Sequence, residues 1–182
     1  MKNGLFVGMF ALVAGFLVLG CDTGTNGEMD TWSQVTSVDD LDGNWEGSGT
    51  ISIPKNETTG IPNTSVGFDV SMSYTKGAPS ISMTTKIDFD VFLDDMIKAR
   101  GFPPTEIIKI ITWSEIIKNF PEGYEIGNYY LAGEEESLVA EFTPSEELKI
   151  NKKHTKLKLT IPKDIVSDLG MNKDIEIILD KK

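Results

Sequence analysis

The sequence predicts a mainly β protein: an antiparallel meander of eight strands with a helical insertion between its third and fourth, a pattern that suits an up-and-down barrel and a sandwich alike. Three observations lead there. Apolar and polar residues alternate with a period of two through three successive runs, turn residues separate those runs, and the period then shifts to that of a helix before strand patterning resumes.

In chain order, the first feature precedes any strand. Met1-Lys2-Asn3 is followed by an apolar run from Gly4 to Gly20 and then by Cys21, the only cysteine. Lys2 supplies a short positive segment, Leu5 to Leu19 the apolar one, and Val18-Leu19-Gly20 stands directly before the thiol. The stretch resembles a bacterial lipoprotein signal with its lipobox. That resemblance implies cleavage after Gly20, diacylglyceryl transfer to the Cys21 sulfur and acylation of the new amino terminus. The protein would then sit in the bacterial cell envelope, lipid-anchored at the outer membrane or cell surface or on the periplasmic face, with the bilayer as its partner through Cys21. The 17 residues from Gly4 to Gly20 fall short of the about 20 needed to cross a bilayer. With a single cysteine, no intramolecular disulfide can form.

The expected organisation is a signal peptide over 1–20, a flexible tether over 21–40 and one folded domain over 41–182. The tether is polar, rich in Thr, Gly, Asn and Asp, and carries Trp32 without an evident role. Removing residues 1–20 takes away Lys2, so the formal charge moves from −11 to −12. A field of that sign repels phosphate backbones, and nucleic acid is excluded as a partner.

The first three strands are the clearest. Trp45, Gly47, Gly49, Ile51 and Ile53 alternate with polar residues; so do Val66, Phe68, Val70, Met72 and Tyr74, and then Ile81, Met83, Thr85, Ile87 and Phe89. Ile61-Pro62-Asn63 and Lys76-Gly77-Ala78-Pro79 are the turns between them. Phe89, Phe92, Leu93, Met96 and Ile97 then follow helical spacing, with Asp90 as candidate N-cap and Gly101 as the stop. Thr105 to Ile111 suits helix and strand equally, while Thr112-Trp113-Ser114-Glu115 has capping-box spacing and predicts a helix from there to about Asn119. Strands are expected again at Tyr124–Leu131, Leu138–Thr143, Leu148–Asn151, Lys156–Ile161 and Ile175–Leu179, with a helical segment at Lys163–Leu169 stopped by Gly170.

Leu41-Asp42-Gly43-Asn44-Trp45 gives the domain a Gly-x-Trp opening. With the meander order, this resembles the start of a lipocalin-like domain over 41–180. The resemblance implies a barrel whose tryptophan plugs the closed end, with a basic residue from a late strand packed on it. Arg100, the only arginine, lies in the insertion instead. The string from Lys158 through Pro162, Gly170 and Ile177 is similar to swapped-hairpin DNA-binding regulators, but physically it says strand, Pro-started helical turn, Gly stop, strand. That family needs basic arms, and this chain is acidic.

Catalytic and metal-binding constellations are not expected. His154 is the only histidine and lies in a polar turn, and Asp39-Asp40-Leu41-Asp42-Gly43-Asn44 fails the calcium-loop spacing. No cofactor is expected. Glu134-Glu135-Glu136 and Glu146-Glu147 read as charged hairpin tips. What remains is the inward apolar face. Trp45, Phe68, Val70, Met72, Met83, Ile87, Phe92, Met96 and Trp113 are the residues expected to line a site for a small apolar ligand, with Gly47 and Gly49 leaving room and the insertion acting as a lid. The alternative reading is a protein-interaction lipoprotein with a filled core and an exposed apolar patch.

Overall fold

The computed structural model describes residues 31–58, 60–118, 124–167 and 171–182. The signal segment, Cys21 and the first part of the tether lie outside the described residues. The described residues form one antiparallel sheet and three helices. The strands are β1 (Trp32–Gln34), β2 (Gly43–Ile53), β3 (Thr64–Tyr74), β4 (Ser80–Asp88), β5 (Glu125–Ile126), β6 (Tyr130–Leu138), β7 (Leu148–Asn151), β8 (Lys156–Ile161) and β9 (Ile175–Lys181). The helices are α1 (Asp90–Ala99), α2 (Glu106–Ile117) and the short α3 (Lys163–Val166).

The sheet has nine strands, in the order β1-β7-β8-β9-β2-β3-β4-β6-β5, and all its ladders are antiparallel. This differs from the expected closed barrel of eight strands: β1 and β5 form the two edges, and among the described residues no ladder joins them. Three local events change the count. Residues 32–34, assigned from sequence to the tether, form β1 on β7. The run expected as one strand from Tyr124 to Leu131 folds back on itself as β5 and β6, pairing Ile126 with Leu131 and placing Tyr129 at a positive φ of 61° in the turn. The strand expected at Leu138–Thr143 is instead the end of β6 and a 3-10 turn at Val139–Glu141. The glutamate triplet 134–136 accordingly lies inside β6, not at a hairpin tip.

The period of two is what builds the core. Directly opposed residues of an antiparallel pair share a face, and the register sets Phe68 beside Gly49 and Ile87, and Ile87 beside Leu131. The same face continues through Leu179–Leu157 and Leu157–Ile150 on the other side. These residues and α1 belong to one contiguous core that includes Trp45, Phe89, Leu93 and Trp113.

The sheet is two ladders joined by a narrow seam. β2 and β3 pair over their full lengths, from Gly43–Tyr74 to Ile53–Thr64, but β2 and β9 share only the pairs Trp45–Lys181 and Glu46–Asp180. At Gly47 the β9 backbone is so close that a Cβ there would lie 2.5 Å from the Ile178 carbonyl oxygen and 2.6 Å from Leu179 Cδ2.

The helical insertion forms one hairpin. Asp90 is the first residue of α1, not its N-cap; Phe89 holds that position, and the Asp88 carboxylate accepts from the Asp90 N–H at 2.9 Å. The Thr105–Ile111 ambiguity resolves as helix, and α2 begins at Glu106, a turn and a half before the capping-box string. Ser114 instead donates its hydroxyl to the Ile110 carbonyl at 2.7 Å. Pro103 and Pro104 hold the preceding residues out of helical conformation and so set the start.

Candidate functional site

Trp45 anchors the apolar face where the two ladders meet. Its indole N–H donates to the Leu41 carbonyl at 2.7 Å, and Lys181 of β9 places its ammonium 5.1 Å from the ring centroid. A basic side chain from the last strand thus does stand on this tryptophan, as lysine. The aspartates before it serve the turn: Ser37 caps the 3-10 segment Val38–Leu41 reciprocally with Asp40, and Asp42 accepts from the Lys76 N–H at 2.8 Å.

Of the nine residues expected to line a ligand site, Trp45, Phe68, Val70, Ile87, Phe92, Met96 and Trp113 are buried, while Met72 and Met83 are partly buried against the same cluster. The structure therefore brings all nine into one core. Phe89, which sequence reading left out of the set, sits among them with its ring 5.5 Å from Trp113 and 6.0 Å from Phe92, centroid to centroid. The room expected beside Gly47 is taken by Ile178 and Leu179. A half-open depression of about 190 Å³ does exist, and Trp45 and Met72 of the expected set border it, but the rest of its lining, Asn44, Glu46, Ser71, Ser73, Ser82 and Thr84, is polar and alternates onto the opposite face.

The helical hairpin is held by a charge cluster. Lys109 is only 8 % exposed, and its ammonium stands 2.8 Å from Asp90 Oδ1 and 2.7 Å from Asp94 Oδ1. The bond to Asp90 is an aligned hydrogen bond, whereas the buried Asp94 oxygen has a charge contact without that alignment. The hydrogen bond to Asp90 and the close Asp94 carboxylate raise the Lys109 pKa above its ordinary value, against the opposing effect of burial. The Lys109 contact in turn holds the Asp94 carboxyl below its ordinary range. The same ammonium lies 5.5 Å from the Tyr129 ring, whose hydroxyl donates to Glu106 at 2.9 Å. Trp113 Nε1 donates to the Gly127 carbonyl at 3.0 Å. These bonds fix α2 against the β5–β6 turn.

With Lys109, Trp113 and Ile116 turned inward, the outer side of α2 is also apolar. Ile107, Ile110 and Ile111 are 70 %, 56 % and 55 % exposed. Their i, i+3, i+4 spacing makes them one contiguous patch on the helix surface. Val91 on α1 and Phe102 in the connection are exposed as well. Sequence reading missed this patch because the ambiguous Thr105–Ile111 stretch was given no face. The inward spacing of Lys109, Trp113 and Ile116 was the available clue. The histidine of the polar turn, His154, is exposed at a φ of 53°. Trp32 is an edge-strand residue on β1, with the Lys158 ammonium 4.9 Å from its ring centroid.

Comparison of the chain with protein families, with curated proteins and with solved structures finds no match.

Proposed function

We propose that this is an envelope-anchored lipoprotein, held by acylated Cys21, that works as a protein-interaction module and presents the outer face of α2 to its partner. The observation that carries this reading is the exposure of Ile107, Ile110 and Ile111 on a helix whose other side is firmly packed. Single exposed isoleucines are unremarkable, but three adjacent ones on a fixed helix form a patch of the kind that marks contact sites. Covering them would contribute about 1–2 kcal/mol each before the costs of association. A small apolar ligand inside the sheet has less support, since the expected lining residues pack on one another and β9 fills the space beside Gly47.

The test places a photo-crosslinking residue at position 111 of the lipidated protein in its own envelope. A discrete protein adduct is expected, and it should disappear when Ile107 and Ile110 are changed to serine. Absence of any adduct, or an adduct indifferent to those changes, would refute the reading. Cys21→Ala is expected to release the protein from the membrane fraction; retention would show that the apolar amino-terminal run is itself the anchor.

A further inference from the structure

Resting on that reading, we infer that the partner segment is a basic amphipathic helix, an apolar stripe flanked by lysine or arginine. Two rows run along the outer side of α2 at i, i+4 spacing: Ile107–Ile111–Glu115 and Glu106–Ile110–Ser114. The isoleucines are therefore bracketed at diagonally opposite ends by the exposed residues Glu106 and Glu115, Glu106 accepting from Tyr129 through Oε2 on its inner side. At the ordinary helical rise, Glu106 and Glu115 are separated by roughly 14 Å along the axis. A facing helix that seats apolar anchors on the isoleucines would bring basic residues about two and a half turns apart to these two carboxylates.

Charge decides between the possible occupants. Helices that lie on bilayers carry lysine and arginine beside their apolar stripe. Here Lys109, the one basic residue within α2, is buried and engaged by Asp90 and Asp94, and Lys118 follows only after the helix has ended. A second copy of the chain would bring the same acidic ends and a formal charge of −11 or more negative against its like. A cationic amphipathic segment meets both the apolar centre and the acidic ends, and the field of the whole protein steers it inward.

The test titrates the unlipidated chain, residues 22–182, with two synthetic helical peptides that share one apolar stripe and differ only in lysine or glutamate flanks. The lysine peptide is expected to bind at least about tenfold tighter. That preference should shrink several-fold in Glu106→Gln/Glu115→Gln. Binding of the lysine peptide should fall at least about tenfold in Ile107→Ser/Ile110→Ser/Ile111→Ser, which keeps every charge, with circular dichroism and the melting temperature confirming that each variant is folded. Equal binding of the two peptides would overturn the inference while leaving α2 as a docking face. Undiminished binding to the triple serine variant would overturn both. Failure of the lysine peptide to bind overturns the inference, as would a dimer by sedimentation or partition onto phosphatidylcholine vesicles that the triple serine change abolishes.

Discussion

Two glycines in the middle of neighbouring strands should respond oppositely to the same methyl group. A Cβ at Gly47 would stand 2.5 Å from the Ile178 carbonyl oxygen and 2.6 Å from Leu179 Cδ2. Leu179 can turn its side chain aside; the carbonyl belongs to the β9 backbone and can retreat only by moving the strand. Restoring an ordinary separation needs a shift of roughly 1 Å next to a junction that consists of two residue pairs. The cost of such overpacking is about 1–3 kcal/mol. At Gly67 the nearest atom to a new Cβ is Asp88 Cβ at 3.5 Å, an ordinary contact. Alanine there restricts the unfolded chain and should stabilise by about 0.4–1 kcal/mol. Gly47→Ala and Gly67→Ala should therefore differ by about 1.5–4 kcal/mol in urea unfolding followed by tryptophan fluorescence, with unchanged denaturant slopes. Coincident midpoints, or Gly67→Ala as the weaker variant, would show that the β2–β9 approach does not constrain position 47.

Lys109→Met removes the cation shared by Asp90 and Asp94, leaving Asp94 the more distant Lys98 ammonium at 3.6 Å, and is expected to destabilise the fold by about 1–3 kcal/mol, read by thermal melting. The pH dependence follows from the directions of the two shifts. The lowered Asp94 carboxyl contributes stability above its unfolded value of 3.8, lost as pH falls through the depressed folded value; the raised Lys109 ammonium contributes below 10.5, lost as pH rises through its folded value. The gap in melting temperature between wild type and Lys109→Met should thus be flat from about pH 5 to pH 9 and narrow as pH falls below the ordinary carboxylate range; a gap that does not narrow in acid would refute the assignment. Trp45→Phe leaves the Leu41 carbonyl without its 2.7 Å donor and should cost about 1–3 kcal/mol in the same urea assay, whereas Lys181→Ala, which removes only the ammonium and stem over the ring, should cost less than about 1 kcal/mol. The reverse order would mean that the lysine, not the indole hydrogen bond, secures the tryptophan.

What the sequence revealed of this fold follows from where alternation is clean. β2, β3 and β4 each have one wet and one dry face, so their period of two is written along their whole length, and they were legible to within two residues. β5 and β6 were not, because Ile126 and Leu131 read as one apolar run although a turn at Gly127–Tyr129 folds the first onto the second. β6 also carries Glu134, Glu135 and Glu136 through its exposed half, which suppresses any strand pattern there. β1 was hidden by its length of 3 residues. The start of α2 was misplaced by a capping-box string whose serine bonds backward to Ile110. Closure itself depends on how far the ladders curl, which no local pattern encodes. The core set was legible because burial follows alternation; the outer face of α2 was not, because isoleucines there look like core until Lys109 is seen to be the buried side.

The seam between β9 and β2 also bears on the order in which the sheet can assemble. The β2–β3 and β3–β4 hairpins close over short stretches of chain, but the pair Trp45–Lys181 must wait for ends far apart in sequence to meet. Each ladder can form early while their union comes late, so Lys181→Ala should hasten unfolding and leave the folding rate nearly unchanged in stopped-flow experiments; a matching loss in folding rate would place the union in the transition state. The step that completes the core is thus the one that must await β9, so loss of that strand alone should leave two ladders with no junction between them.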